Sequence, residues 1–132
     1  MYAVADTHAV IWYLLADSRL SEKARVAFEE ASRLGEPMGL PAICLVEMIY
    51  LTEKNRIPQE LLIKLRQELD AEDSPFVVVP LDEQIAMRVS DIKRAVVPEL
   101  PDRVIAATAL HLGVPLITRD HKIHVSGIET IW

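Results

Sequence analysis

The sequence predicts an α/β fold: a mainly parallel sheet of about four to five strands with helices on both faces. Three observations predict it. Short apolar or β-branched runs recur along the chain, at Met1 to Ala5, Met38 to Leu40, Phe76 to Val79, Val114 to Thr118 and Ile128 to Trp132. Stretches with helical apolar spacing separate them, and strands that alternate with helices are joined in parallel through right-handed crossovers. The chain has 132 residues, of which 51% are apolar, and that is ample for one buried core. Residues 1–132 are therefore expected to form a single domain, without repeats or low-complexity segments.

Each element has its own local reason. Met1 to Ala5 is a short apolar run that ends at Asp6 and reads as a buried strand, followed by a helix from about His8 to Leu15. Ser21 and Glu22 open an amphipathic helix, which Gly35 and Pro37 close in the usual order of helix stop signals. After the short strand Met38 to Leu40, Pro41 suits the first turn of a helix that runs through Ile43, Leu45, Val46, Met48, Ile49 and Leu51 to about Lys54. Pro58 likewise opens a helix ending near Asp70. The β-branched run Phe76 to Val79, bounded by Pro75 and Pro80, reads as a buried strand. Asp82 then caps a helix reaching about Ala95, with Ile85, Ala86, Val89 and Ile92 at helical spacing. Pro98 to Pro101 forms a stiff loop. From Asp102 a mostly apolar helix runs to Leu112 and stops at Gly113; Val114 to Thr118 is the next strand, ending in Arg119 and Asp120.

Charge and cysteine content narrow the function. Twenty acidic against 14 basic residues give a net charge of -6, which argues against holding nucleic acid through a broadly basic surface. Any such contact must be local or metal-assisted. Cys44 is the only cysteine, so no internal disulfide and no four-thiolate zinc site can form, which fits a reducing cytoplasm. Met1 to Asp6 is too short for a signal peptide, and no apolar run reaches the ~18 residues of a membrane span. A soluble cytoplasmic protein is expected.

Four acids then stand out. Asp6 and Asp120 follow strands, at the carboxyl ends where open α/β sheets place their sites. Either is also explained as a cap or a turn residue. Asp102 precedes Val104, Ile105, Ala106 and Ala107, so capping a buried helix accounts for it equally well. Glu47 is the only charged residue between Ala42 and Thr52, and a buried carboxylate there needs a cation, a proton or a water-filled groove. A structural ion pair with an arginine is the plain alternative. If the four gathered about 6 Å apart, each pair would repel by roughly 3 kcal/mol at an effective dielectric near 20. Carboxylate oxygens without His or Cys select Mg²⁺ or Mn²⁺ over zinc.

Asp6-Thr7-His8 followed by Ile11-Trp12, the helix Glu47, Asp102-Arg103 followed by Ile105-Ala106-Ala107-Thr108-Ala109, and Leu116-Ile117-Thr118-Arg119-Asp120 occur in that order. In this order they resemble the four motifs of the PIN-domain nucleases, in particular the VapC-type toxins of toxin–antitoxin pairs. Two positions depart from the family pattern: Cys44 stands where a serine is frequent, and Glu99-Leu100-Pro101 stands where Asp-Pro is frequent. Neither removes a metal-binding acid.

The resemblance implies a PIN-like three-layer α/β/α domain and a Mg²⁺- or Mn²⁺-dependent endoribonuclease. It implies Asp6, Glu47, Asp102 and Asp120 as catalytic metal ligands, with Asp120 the outermost, and Thr7 and Thr118 as supporting hydroxyls. Arg103 and Arg119 are candidates for substrate phosphates, with surface ion pairing the plain alternative. Trp12 and Trp132 are read as core or subunit contacts, and His8 as an exposed helix-start residue. The partners implied are RNA, a cognate antitoxin and a second copy of the chain; the helices around Ser21 to Leu34 and Ile43 to Leu51 are candidate docking walls for the antitoxin, with core packing of their apolar residues the equal alternative. Two other classes remain open at this stage. One is a catalytically silent PIN-like module that binds RNA or a protein. The other is a phospho-accepting signalling domain, which wants an acidic pair after the first strand where this chain has Asp6-Thr7.

Overall fold

Every pair of neighbouring strands runs parallel. The computed structural model describes residues 1–132, apart from the side chain of Val125. Strands β1 (Ala3–Ala5), β2 (Met38–Pro41), β3 (Phe76–Val79), β4 (Leu116–Ile117) and β5 (Thr130–Ile131) form one sheet in the order β3-β2-β1-β4-β5. Helices α1 (Thr7–Leu14), α2 (Glu22–Leu34), α3 (Ala42–Glu53), α4 (Gln59–Asp70), α5 (Glu83–Arg88), α6 (Leu100–Leu112) and α7 (His121–Val125) flank it. The α/β class and the parallel sheet expected from the sequence are both present.

Helices on the sheet's faces explain why its inner strands carry no polar alternation. All residues of β1 and β2 are buried, whereas the edge strand β3 exposes Val77. Leu40, Ile105 and Ile117 are almost wholly inaccessible, and each such side chain contributes about 1.5–3 kcal/mol of transfer free energy. Helix α6 is buried along Val104 to Ala109. Ser21 accepts a hydrogen bond from the Ala24 amide at the start of α2, and Gly35, at φ 68°, ends that helix in the left-handed conformation that glycine enters without a Cβ penalty.

The chain proceeds β1, β2, β3 in one direction and then returns to lay β4 against the other side of β1. The sheet's direction of growth therefore reverses between β1 and β4. Beyond the carboxyl ends of two such strands the connections diverge to leave a crevice. Asp6 follows β1 and Asp120 lies just beyond β4, so the topology puts these two acids at its mouth.

Four local expectations are corrected. The helix after Asp82 stops at Arg88 and tightens into a 3-10 turn over Val89–Asp91. The Arg103 guanidinium explains this: it donates to the carbonyls of Val89 and Ile92, at 3.0 and 2.8 Å, taking acceptors that a continuing helix would use. Helix α6 begins at Leu100 rather than Asp102, since Pro101 fits a first turn whose amides need no intrahelical acceptor. Asp102 thus lies inside that turn and Glu99 occupies the cap position. Helix α7 was not expected at all; Asp120 starts it by accepting from the Lys122 amide at 3.0 Å. Finally, the core alternative for α3 holds only at Cys44 and Met48, while Val46, Ile49 and Tyr50 are exposed. Among the described residues no helix is long and apolar enough to cross a membrane.

Candidate active site

The site is assembled from the turns that follow β1 and β4. The Asp6 amide donates to the Ile117 carbonyl at 3.0 Å, tying the end of β1 to β4. The Asp6 carboxylate caps α1, its Oδ1 accepting from the Ala9 amide at 2.9 Å. On the β4 side, Thr118 is buried and its hydroxyl oxygen accepts from the Asp120 amide at 3.0 Å. Asp102 enters from the first turn of α6. Asp6, Asp102 and Asp120 line one cleft of about 420 Å³, together with His8, Trp12, Arg19 and Arg119.

Glu47, on α3, is half-buried and does not line this cleft, although its charge reaches Asp102. Its Oε1 accepts a 2.6 Å hydrogen bond from the Thr7 hydroxyl, which fixes one carboxylate oxygen and leaves the other uncommitted to Thr7. No ion pair joins Glu47, Asp6, Asp102 or Asp120 to a basic side chain among the described residues, so the arginine alternative for Glu47 does not hold. Glu99 is exposed and pairs with Lys122 at 3.3 Å. Cys44 donates weakly to the Ala5 carbonyl at 3.9 Å. Burial drives its thiol pKa well above the ordinary value, and the nearby Asp6, Glu47 and Asp102 charges add to that. It is therefore a neutral thiol, not a thiolate ligand.

The acids disturb one another. Burial pushes the Asp6 carboxyl above its ordinary pKa, the Thr118 hydroxyl and the Ala9 amide pull it back, and Asp120 pushes it up further. Asp102 is raised to about 6, first by desolvation and then by the charges of Asp120, Glu47, Glu99 and Asp6. Desolvation is the larger cause in both; the repulsion among the acids adds to it, and His8 lowers the Asp6 carboxyl only in part. Among the described residues no three His, Cys, Asp or Glu side chains are drawn close enough to hold an ion as they stand. The acids would have to draw closer around an ion, whose charge would reverse the sign of the force between them. All four donors are hard carboxylate oxygens, so the set fits Mg²⁺ or Mn²⁺.

The supporting residues divide. Thr7 and Thr118 both lie against the acids. Arg103 does not face the cleft, because its guanidinium is committed to backbone carbonyls in the segment before α6. Arg119 does, with its guanidinium carbon 4.7 Å from the centre of the Trp12 ring. Arg19 reaches the same ring at 5.1 Å. Nothing in the spacing of the sequence marks Arg19, because only the folded α1–α2 connection brings it to the cleft. Trp12 is buried and packs against Trp132 and His8, with ring centroids 5.8 and 5.5 Å away.

The family model described as PIN domain matches residues 3–126. Ribonuclease VapC22 of Mycobacterium tuberculosis is 28% identical over 118 residues, covering 89% of this chain and 86% of that protein. Among solved structures, a toxin-antitoxin complex from Klebsiella pneumoniae has a chain 25% identical, covering 91% of this chain and 88% of its own, with a TM-score of 0.61. VapBC2 from Rickettsia felis, bound to a DNA fragment from its promoter, matches over all of both chains with a TM-score of 0.73. At 14% identity that last likeness speaks to the fold alone.

Proposed function

This chain belongs to the PIN domain family, and from that premise and the chemistry of its acidic cleft we propose a divalent-metal-dependent endoribonuclease, the toxin of a type II toxin–antitoxin pair. PIN nucleases generally depend on a divalent metal, and for this chain the ion is Mg²⁺ or Mn²⁺. One observation supports the reading above all: Asp6, Asp102 and Asp120 meet on one cleft, with the charge of Glu47 reaching Asp102, and none of the four is ion-paired to a basic side chain among the described residues. The name of the ribonuclease relative supplies the substrate class.

In this reading Asp6 is the central ligand, because the hydrogen bond to β4 and the cap of α1 hold it rigidly at the end of β1. Glu47, steadied by Thr7, and Asp102, at the start of the buried helix α6, complete the set. Asp120 is the outer member, as one of its oxygens already accepts from a backbone amide. A bound dication supplies Lewis acidity, activating water for attack on phosphorus and neutralising charge on the phosphodiester. Thr118 steadies both strand-end acids. Arg119, exposed and without an ion pair among the described residues, is placed to take a substrate phosphate.

The partners follow from the same reading. A ribonuclease active in its own cytoplasm requires restraint, and the Klebsiella relative was solved as a toxin-antitoxin complex; a cognate antitoxin is the matching partner here. An antitoxin arginine or lysine placed among the four acids would substitute electrostatically for the metal. The exposed Val46, Ile49 and Tyr50 of α3 and Ile63 of α4 fit a homodimer surface. Incubation with a pool of structured RNAs should give cleavage with Mg²⁺ and none with chelator. An inert protein under both conditions would sink the ribonuclease reading.

A further inference from the structure

The geometry points to a phosphate clamp within the cleft that holds the acids, in which Trp12 presents Arg19 and Arg119 to the RNA backbone beside the scissile bond. This rests on the ribonuclease reading and adds to it the residue Arg19 and a role for Trp12. A chain of net charge -6 with an acidic cleft repels a polyanion, so a strand entering the cleft needs fixed positive charge within reach. Among the described residues, Arg19 and Arg119 are the only Arg or Lys side chains that line it.

Both guanidiniums are built into place. Trp12 is 4% exposed, so no base can stack on it. Its ring instead carries Arg119 at 4.7 Å and Arg19 at 5.1 Å, close enough for cation–π attraction. The α1–α2 connection aims Arg19. The Asp17 amide donates to the Trp12 carbonyl at 2.8 Å, with Ala16 held at φ 51° just before it. Asp17 then grips Arg19 three times, accepting from its amide at 2.8 Å, its Nε at 3.0 Å and an Nη at 2.8 Å. A guanidinium has five N–H donors, so this grip leaves the remaining edge for a phosphate. The Arg19 side chain is still 60% exposed. An arginine that served only to neutralise Asp17 would need neither the indole nor a position in the cleft.

The test compares the wild type with Arg19→Gln, Arg119→Gln and the two lysine variants, using a labelled single-stranded oligoribonucleotide of mixed sequence. Binding is followed against salt in chelator, where no strand is cut. Each glutamine variant should weaken binding and flatten the slope of log affinity against log salt by about 0.7, the value of one lost phosphate contact on a single strand. The lysine variants should restore the slope. In Mg²⁺, cleavage by the glutamine variants should show a raised KM with kcat little changed. Unchanged slopes, undetectable binding by the wild type, or lysine variants that behave like glutamine would each overturn the clamp. A wild type that binds with these slopes but cuts no RNA would leave the clamp standing and remove the nuclease reading.

Discussion

Asp6 and Asp82 do the same local job and face opposite fates. Each follows a strand, each adopts extended backbone, and each caps the next helix by accepting an amide hydrogen bond at 2.9 Å. Asp6 stands at the end of β1, in the middle of the sheet and beside β4, whereas Asp82 follows the edge strand β3, two strands away. Asp82 is exposed; Asp6 is enclosed enough for desolvation to lift its carboxyl pKa, with Asp120 and Asp102 on the same cleft. Capping and ligation are therefore not rival explanations of an aspartate. Strand order decides which capping acid is brought beside other acids in one cleft.

The comparison breaks most visibly in catalysis. Asp6→Asn keeps shape and the cap acceptor while removing a charged ligand oxygen, so cleavage of an RNA pool in Mg²⁺ should fall by at least about a hundredfold, beyond what losing an outer-shell partner costs. Asp82→Asn should cut like the wild type. Equal activity in the two variants would erase the distinction.

A second consequence appears in pH. The native pKa of Asp102 is about 6 against an ordinary 3.8, and Asp6 is raised in the same direction. Between those values the native state binds more protons than the unfolded chain, so unfolding free energy falls as pH rises through the window. In chelator the protein should melt higher near pH 5 than near pH 7. Below about pH 4 the trend should reverse, as Asp17, held down to about 2 by Arg19, and Glu30, held low by Arg33, lose their partners. Saturating Mg²⁺ should abolish the advantage of pH 5. A melting temperature that climbs steadily from pH 5 to pH 7 in chelator would contradict the raised pKa values of Asp6 and Asp102.

Smaller effects refine the picture. Asp82→Ala removes an exposed cap and should cost about 1 kcal/mol in chemical denaturation without touching cleavage. Glu47→Gln can still accept from Thr7, so the metal-free protein should keep its melting temperature or gain slightly as repulsion is relieved. A marked loss of stability in chelator would mean that Glu47 is held by a structural interaction rather than by the site.

Much of this architecture is legible in the sequence because its signals are local. Ser21 and Gly35 bracket α2 as their chemistry requires, and the run Phe76–Val79 between two prolines is a strand as read. What was missed depends on contacts between distant segments. The shortened α5 follows from Arg103, twelve residues beyond the turn at Asp91, reaching back for carbonyls. The apolar surface of α3 reads equally as core or docking wall, because composition cannot tell a core face from one awaiting a partner. The acids were individually ambiguous for the same reason: Asp6 and Asp82 have equivalent local sequence roles, and their difference lies in sheet order. The hydroxyl that holds Glu47 comes from Thr7, forty residues earlier. Arg19 joins the cleft only through a loop conformation that no periodicity encodes.

The central claim is that the carboxyl ends of β1 and β4, and not strand-end aspartates in general, form a dication site. Calorimetric titration of Mn²⁺ into the wild type, Asp6→Asn and Asp82→Asn tests it without reference to any RNA. Wild type and Asp82→Asn should bind Mn²⁺ with indistinguishable affinity, while Asp6→Asn should show at least about a tenfold loss, on the order of 1.4 kcal/mol. Binding by Asp6→Asn as tight as the wild type's, or loss in Asp82→Asn instead, would contradict it.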